Sequence, residues 1–288
     1  MNKLFLNITA LATVLFLGAC ANESQESTQE EETIESVQSE AKTDSNEGII
    51  LEKNGLTLTE VIGSPEFPDS KLTLKSPELH SENGLAKIKF DFEINGGTYQ
   101  LGSQSEDAAT KSCANSPKGQ HIHLIVNNEA YEAHYSDTFT TSREFEAGNN
   151  VVLAFISRSY HESLKHDGAY VLTQFKTGEE EMDEVDLTAP HLFYSRPKGN
   201  YEGENAKKVM LDFYLVNTII AEGGNYVSVT IDDSTTFKIT KWAPYFIEGL
   251  SMGTHTIEIQ LMDNENQFIE GPFNYEKRNI YILEDKTK

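Results

Sequence analysis

The sequence predicts an all-β chain built as two tandem β-sandwiches, and three observations carry that expectation. Apolar residues alternate with polar ones over short runs, as in Ile88-Lys89-Phe90-Asp91-Phe92-Glu93-Ile94 and Thr256-Ile257-Glu258-Ile259-Gln260-Leu261, which is the period of a strand with one buried face. Gly, Asn and Asp clusters such as Gly148-Asn149-Asn150 and Asp232-Asp233 punctuate these runs, and no long segment has a helical period. Finally, the chain repeats itself. His123-Leu124-Ile125-Val126-Asn127-Asn128 echoes Ser228-Val229-Thr230-Ile231-Asp232-Asp233, and Val152, Ala154 and Ile156 echo Ile257, Ile259 and Leu261, always 105 residues apart. Chance similarity does not hold register across a turn and two strands.

Taken from the N-terminus, Lys3 precedes an apolar run from Leu4 to Leu17. The run is too short to span a bilayer, which takes about 20 apolar residues, but it suits the core of a signal peptide. It ends in Leu17-Gly18-Ala19-Cys20. This resembles the bacterial lipobox, and the resemblance implies cleavage before Cys20 and a diacylglyceryl thioether on its sulfur. Several acyl chains anchor a protein firmly where one is marginal. The expected address is therefore the cell envelope, the chain being exported and lipid-anchored, with the outer membrane favoured.

Residues 20–48 then form the lipid anchor and a tether. Nine carboxylates face a single Lys42, and the only aliphatics larger than alanine are Ile34 and Val37. Such a stretch buries too little apolar surface to offset its conformational entropy and is expected to be disordered and extended. Over the whole chain the formal net charge is -23. Phosphate recognition needs Lys and Arg clusters, none of which is visible, so nucleic acid is excluded as a main partner. The membrane, reached through the lipid, is the one partner the sequence names; a protein or small-ligand partner is left unidentified.

Residues 49–178 make up the first sandwich, 179–186 an acidic linker around Glu179-Glu180-Glu181-Met182-Asp183-Glu184, and 187–288 the second sandwich. Each copy is of ordinary domain size. Short strands with turns every 8–12 residues suggest an immunoglobulin-like sandwich, of a variety without the Cys-Trp-Cys signature. Near the start of the repeat, Ser76-Pro77-Glu78-Leu79 is matched to Ala189-Pro190-His191-Leu192, and Phe90-Asp91-Phe92 to Leu211-Asp212-Phe213.

Where the copies differ is informative. The offset is 121 residues at Phe92 but 105 at His123, so the first copy carries 16 extra residues somewhere in Gly96 to Gln120, a stretch that includes Cys113. Extra loops on a scaffold are where binding tends to be placed. The strand that follows is His121-Ile122-His123-Leu124-Ile125-Val126. Alternation puts His121 and His123 on one face, roughly 6–7 Å apart at Cα, a workable spacing for two imidazoles on one metal ion. With them, His134 and His161 or Cys113 make a candidate site for Zn or Cu, since imidazole and thiolate suit both. The gapless alignment, however, sets His134 against Ile239, a core position, so His134 joins only if a one-residue bulge intervenes. The other expectation is that these histidines are ordinary strand residues. If Cys20 is lipidated, Cys113 has no partner for a disulfide.

Other motifs fail. His161-Glu162-Ser163-Leu164-Lys165-His166 has one residue too many for the zinc-protease pattern. There is no nucleophile elbow, phosphate loop or dinucleotide fingerprint, and no nucleophile–base set stands out. Asp263-Asn264-Glu265-Asn266 lacks the glycine and distal glutamate of a calcium loop and reads as a hairpin turn. Trp242 and Pro244-Tyr245-Phe246 read as core packing. The expected role is thus a non-enzymatic binding or scaffolding module, with metal binding as the alternative and an enzyme the last choice.

The segment Gly119-Gln120-His121-Ile122-His123-Leu124-Ile125-Val126, followed by His134 and Gly148, resembles small exported bacterial domains of unknown function that are rich in histidine. Across roughly 60 residues it departs from their pattern in one missing histidine and in Ala147 where they have proline. The whole layout resembles uncharacterised surface lipoproteins of the Bacteroidota, some of which are labelled phosphopeptide-binding; no Arg cluster of the kind phosphate recognition uses is present.

Overall fold

A computed structural model describes residues 41–44, 48–82, 85–111, 114–145, 147–178 and 183–285. The leader, Cys20, most of the tether, Cys113 and the linker residues 179–182 lie outside the described residues.

Among the described residues, every regular element is a strand apart from one four-residue helix, Glu204–Lys207. An N-terminal ribbon contributes β1 (Ala41–Asp44), β2 (Gly48–Lys53) and β3 (Leu56–Glu60). The first sandwich follows with β4 (Lys71–Glu82), β5 (Leu85–Asn95), β6 (His121–Val126), β7 (Glu132–His134), β8 (Thr138–Thr140), β9 (Gly148–Ser157) and β10 (Tyr170–Thr177). The second has β11 (His191–Arg196), β12 (Gly199–Glu202), β13 (Val209–Val216), β14 (Tyr226–Ile231), β15 (Thr235–Ile239), β16 (Tyr245–Glu248), β17 (Gly253–Met262) and β18 (Tyr275–Leu283).

The topology confirms the immunoglobulin-like expectation. In the first sandwich, sheet β4-β5-β8 faces sheet β10-β9-β6-β7. In the second, β11-β13-β16 faces β18-β17-β14-β15, and β12 adds to the far edge, parallel to β18. The strands correspond in order, and register is kept to the residue. Leu124 opposes Ala154 as Val229 opposes Ile259, and Ile122 opposes Ile156 as Val227 opposes Leu261. Even the β-bulge recurs, between Leu74 and Ser76 in β4 and between Tyr194 and Arg196 in β11. That bulge corrects one detail of the expected repeat. Leu74 opposes Phe92 as Tyr194 opposes Phe213, so β11 corresponds to 71–76 rather than to Ser76–Leu79.

Two boundaries also move. Residues 49–60, expected in the first sandwich, extend the second: β3 pairs with β16, and Leu51 and Leu58 enter its core. Ala41–Asp44, expected in the disordered tether, pair with β2. The reason is edge chemistry. Without β3, β16 would present an unpaired row of N–H and C=O groups.

Each sandwich has its own core. Phe90, Phe92, Leu124 and Ile156 are among the residues filling the first, and Leu211, Phe213, Val229 and Ile259 among those of the second. A third cluster joins them. The outward residues Ile125 of β6 and Val151, Leu153 and Phe155 of β9 pack on Phe193 of β11 and Tyr214 and Val216 of β13. The two sandwiches are thus stacked sheet on sheet in one compact unit, and β6 is buried on both faces along its whole length. Trp242 donates its indole N–H to Phe213 O at 3.0 Å and Tyr245 is fully buried, so the aromatic cluster is packing, as expected. Asp263 accepts from the N–H groups of Glu265 and Gln267, the hairpin turn expected there.

Candidate metal centre

Strand alternation delivers the first two ligands. Ile122 and Leu124 enter the first core, so His121 and His123 point the other way, into the junction between the sandwiches, where both are fully buried. The third comes from the turn after β9. Ser157 and Ser163 bridge its base, Arg158 N–H bonds Glu162 O, and a buried Arg158–Glu162 ion pair of 2.8 Å locks it. At its apex His161 adopts φ +69°, a left-handed conformation that His tolerates better than most residues.

The inserted segment completes the support. Ser105 and Ser159 exchange backbone-to-hydroxyl hydrogen bonds, and Ser116 N–H bonds Ser159 O, so the insertion clasps the turn that carries His161. Its last glycine, Gly119, has φ +85°, and a Cβ there would lie 2.4 Å from Gly102 O. Only glycine fits, and its carbonyl accepts from His121 Nδ1 at 2.7 Å. That bond places the proton on Nδ1 and leaves Nε2 a lone pair, as a ligand's second sphere does.

Three ring nitrogens then converge. His121 Nε2 lies 2.9 Å from His123 Nε2 and 2.9 Å from His161 Nδ1, and the last two are 3.3 Å apart. An ion about 2.0–2.1 Å from each would sit roughly 1 Å off their plane. The group is the cluster of potential ligand atoms found among the described residues. Burial holds His121 down to about 4 and pushes His123 and His161 well below the ordinary histidine value, with Arg196 adding to the effect on all three. All three imidazoles are therefore uncharged at neutral pH, the state that binds metal.

The surroundings are aromatic and cationic. Tyr131 stacks on His123 with ring centroids 3.6 Å apart, and Phe155 lies edge-on at 5.2 Å. The Tyr131 hydroxyl is 3.4 Å from His161 Nδ1 and accepts from Arg196 Nε at 3.0 Å. Arg196 reaches it because of the bulge. Simple alternation would put Arg196 on the face of Tyr194, in the second core, but after the bulge it opposes Asp212 on the outer face. Lys198 covers the Tyr131 ring, its Nζ 3.6 Å from the centroid, and donates to Tyr131 O at 2.7 Å.

Of the five residues expected from sequence, three converge. His134 does not. It opposes Ile122, on the first-core side of the sheet, and there bonds Glu132 at 3.1 Å and stacks on Phe139 at 3.5 Å. No bulge intervenes in the β6–β7 pairing, so the gapless alignment was right and His134 is removed from the ligand set. Burial tends to raise the Glu132 carboxyl, but hydrogen bonds from His134, Ser142 and Arg143 outweigh it and hold the group well below the usual range. Cys113 lies outside the described residues. Tyr131, Arg196 and Lys198 were missed. Tyr131 lies just before β7, the strand that carries His134, but nothing in the sequence connects Arg196 or Lys198 to a site on the other sandwich.

No family model and no curated protein matches the chain. Among solved structures, the fibronectin(III)-like modules of Clostridium thermocellum CbhA are similar at 12% identity and a TM-score of 0.27, over 75% of this chain and 96% of that one.

Proposed function

We propose that this is an envelope lipoprotein whose stacked β-sandwiches act as a non-enzymatic binding module, holding one zinc or copper ion through His121, His123 and His161. One observation supports this above the rest: three uncharged imidazole nitrogens, two on fully buried rings and the third on a half-buried one, lie 2.9–3.3 Å from one another. Three neutral lone pairs aimed at one point repel unless a cation or proton sits among them. The attachment proposed is through the lipid at Cys20; among the described residues, no helix is long and apolar enough to cross a membrane.

Elemental analysis of the full chain after exposure to zinc or copper and exhaustive dialysis should find one ion per chain. His123→Ala should lose it, and His134→Ala should keep it. Equal retention by both variants, or no ion in the parent, would sink the proposal.

The anchor has its own test. Intact mass of the mature chain should exceed the peptide mass from Cys20 onward by a diacylglyceryl group, and Cys20→Ser should release the protein from membranes. An unmodified N-terminus at any other residue would exclude the lipobox assignment.

A further inference from the structure

We propose that the three-histidine centre selects monovalent copper over divalent ions; this rests on the metal-binding proposal above and specifies which ion that site takes. The donor set carries no charge. No carboxylate or thiolate joins the three imidazoles among the described residues. Glu132 is on the other face of the sheet and is committed to Arg143, His134 and the backbone of Ser142, and Glu162, next to His161 in the chain, is committed to Arg158 and Ser64.

What faces the centre from the second sandwich is positive. Arg196 Nε reaches the Tyr131 hydroxyl, which is itself 3.4 Å from His161 Nδ1. Lys198 Nζ and His123 are each 3.6 Å from the centroid of the Tyr131 ring. They cannot share one face, so the ring is held between them and the ammonium lies roughly 7 Å from the imidazole.

Two physical effects then point the same way. Repulsion from Arg196 and Lys198 grows in proportion to the charge of the bound ion. The cost of taking the ion out of water grows with the square of that charge, and His121 and His123 are fully buried. A dication in a neutral cage beside two cations suffers both, with no anionic ligand to compensate. A monocation suffers each far less. Monovalent copper is also the ion in the zinc–copper pair that needs no fourth ligand, since three imidazoles in a shallow pyramid satisfy it.

The test is a competition on the full chain under anaerobic conditions, with Cu(I) supplied from a chromophoric chelator and Zn²⁺ as its chloride. One Cu(I) should bind and should not be displaced by excess Zn²⁺. X-ray absorption at the copper edge should show nitrogen scatterers without a sulfur shell, which separates this centre from the sulfurs of Cys20 and Cys113. Lys198→Gln should narrow the Cu(I)-over-Zn²⁺ preference by about tenfold. Lys198→Met, which keeps the stem against the ring, gives the same readout should the glutamine variant fold poorly. Stoichiometric Zn²⁺ that Cu(I) does not displace, a sulfur shell, or an unchanged preference in both Lys198 variants would overturn the inference and leave the three-histidine site standing. Failure to bind either ion would overturn the site itself.

Discussion

Asp212→Ala should cost about 3–5 kcal/mol of stability, because it strands a buried ammonium. Asp212 lies on β13 of the second sandwich and is fully buried. Lys165, from the loop that follows the His161 turn, donates to its Oδ1 at 2.6 Å, to Ser163 Oγ at 2.7 Å and to Phe213 O at 3.0 Å. Ser163 donates both its hydroxyl and its amide to the same carboxylate. Burial pulls the Lys165 ammonium below its ordinary pKa, and the Asp212 charge opposes that pull. Removing the carboxylate removes the opposition and one hydrogen-bond acceptor together. The double variant Lys165→Met, Asp212→Leu should recover most of the loss, since replacing both members of a buried pair by apolar groups is often neutral. Urea unfolding measures both. A single-variant loss below about 1 kcal/mol would show that this pair does not hold the sandwiches together.

Phe155→Ala should be equally severe, about 3–5 kcal/mol, as for a large aromatic deleted from a packed core. It differs in also striking the metal centre. Phe155 lies directly opposite His123 across the β6–β9 ladder, its ring edge-on to the imidazole, and it stacks on Tyr214 of the second sandwich with centroids 4.7 Å apart. The truncation opens a cavity at the junction beside His123, whose Nδ1 has no hydrogen-bond partner among the described residues to fix the ring. Phe90→Ala is the matched comparison. Phe90 is fully buried in the first core and stacks on Phe92, away from the histidines. The two variants should lose similar stability, but only Phe155→Ala should weaken metal retention at temperatures where both are folded. Equal metal retention would detach the centre from the junction.

The histidine pair was legible in the sequence because a strand's period of two is rigid: once Ile122 and Leu124 are matched to Val227 and Val229, His121 and His123 can only share the other face. The same rule assigned His134 to the wrong face, and its pairing with Ile122 shows that the rule held. The inserted segment was also visible, as a change of offset between copies, though not what it does: Gly119 orients His121, and Ser105 and Ser116 clasp the His161 turn.

By itself, then, the sequence determined the register of β6 and β9 against β14 and β17, the internal duplication and one face of the site, because these depend on alternation and local turns. Tertiary structure alone decided the rest. A face two strands wide, apolar at Ile125, Leu153 and Phe155, had to be covered, and β11 and β13 of the second sandwich cover it. That stacking buries the histidines, lowers their proton affinity and brings Arg196 and Lys198 against Tyr131. The bulge that turns Arg196 toward the junction, and the pairing of β3 with β16, likewise follow from contacts between segments far apart in the chain. Such contacts are fixed by which surfaces bury one another, and no local pattern encodes that choice.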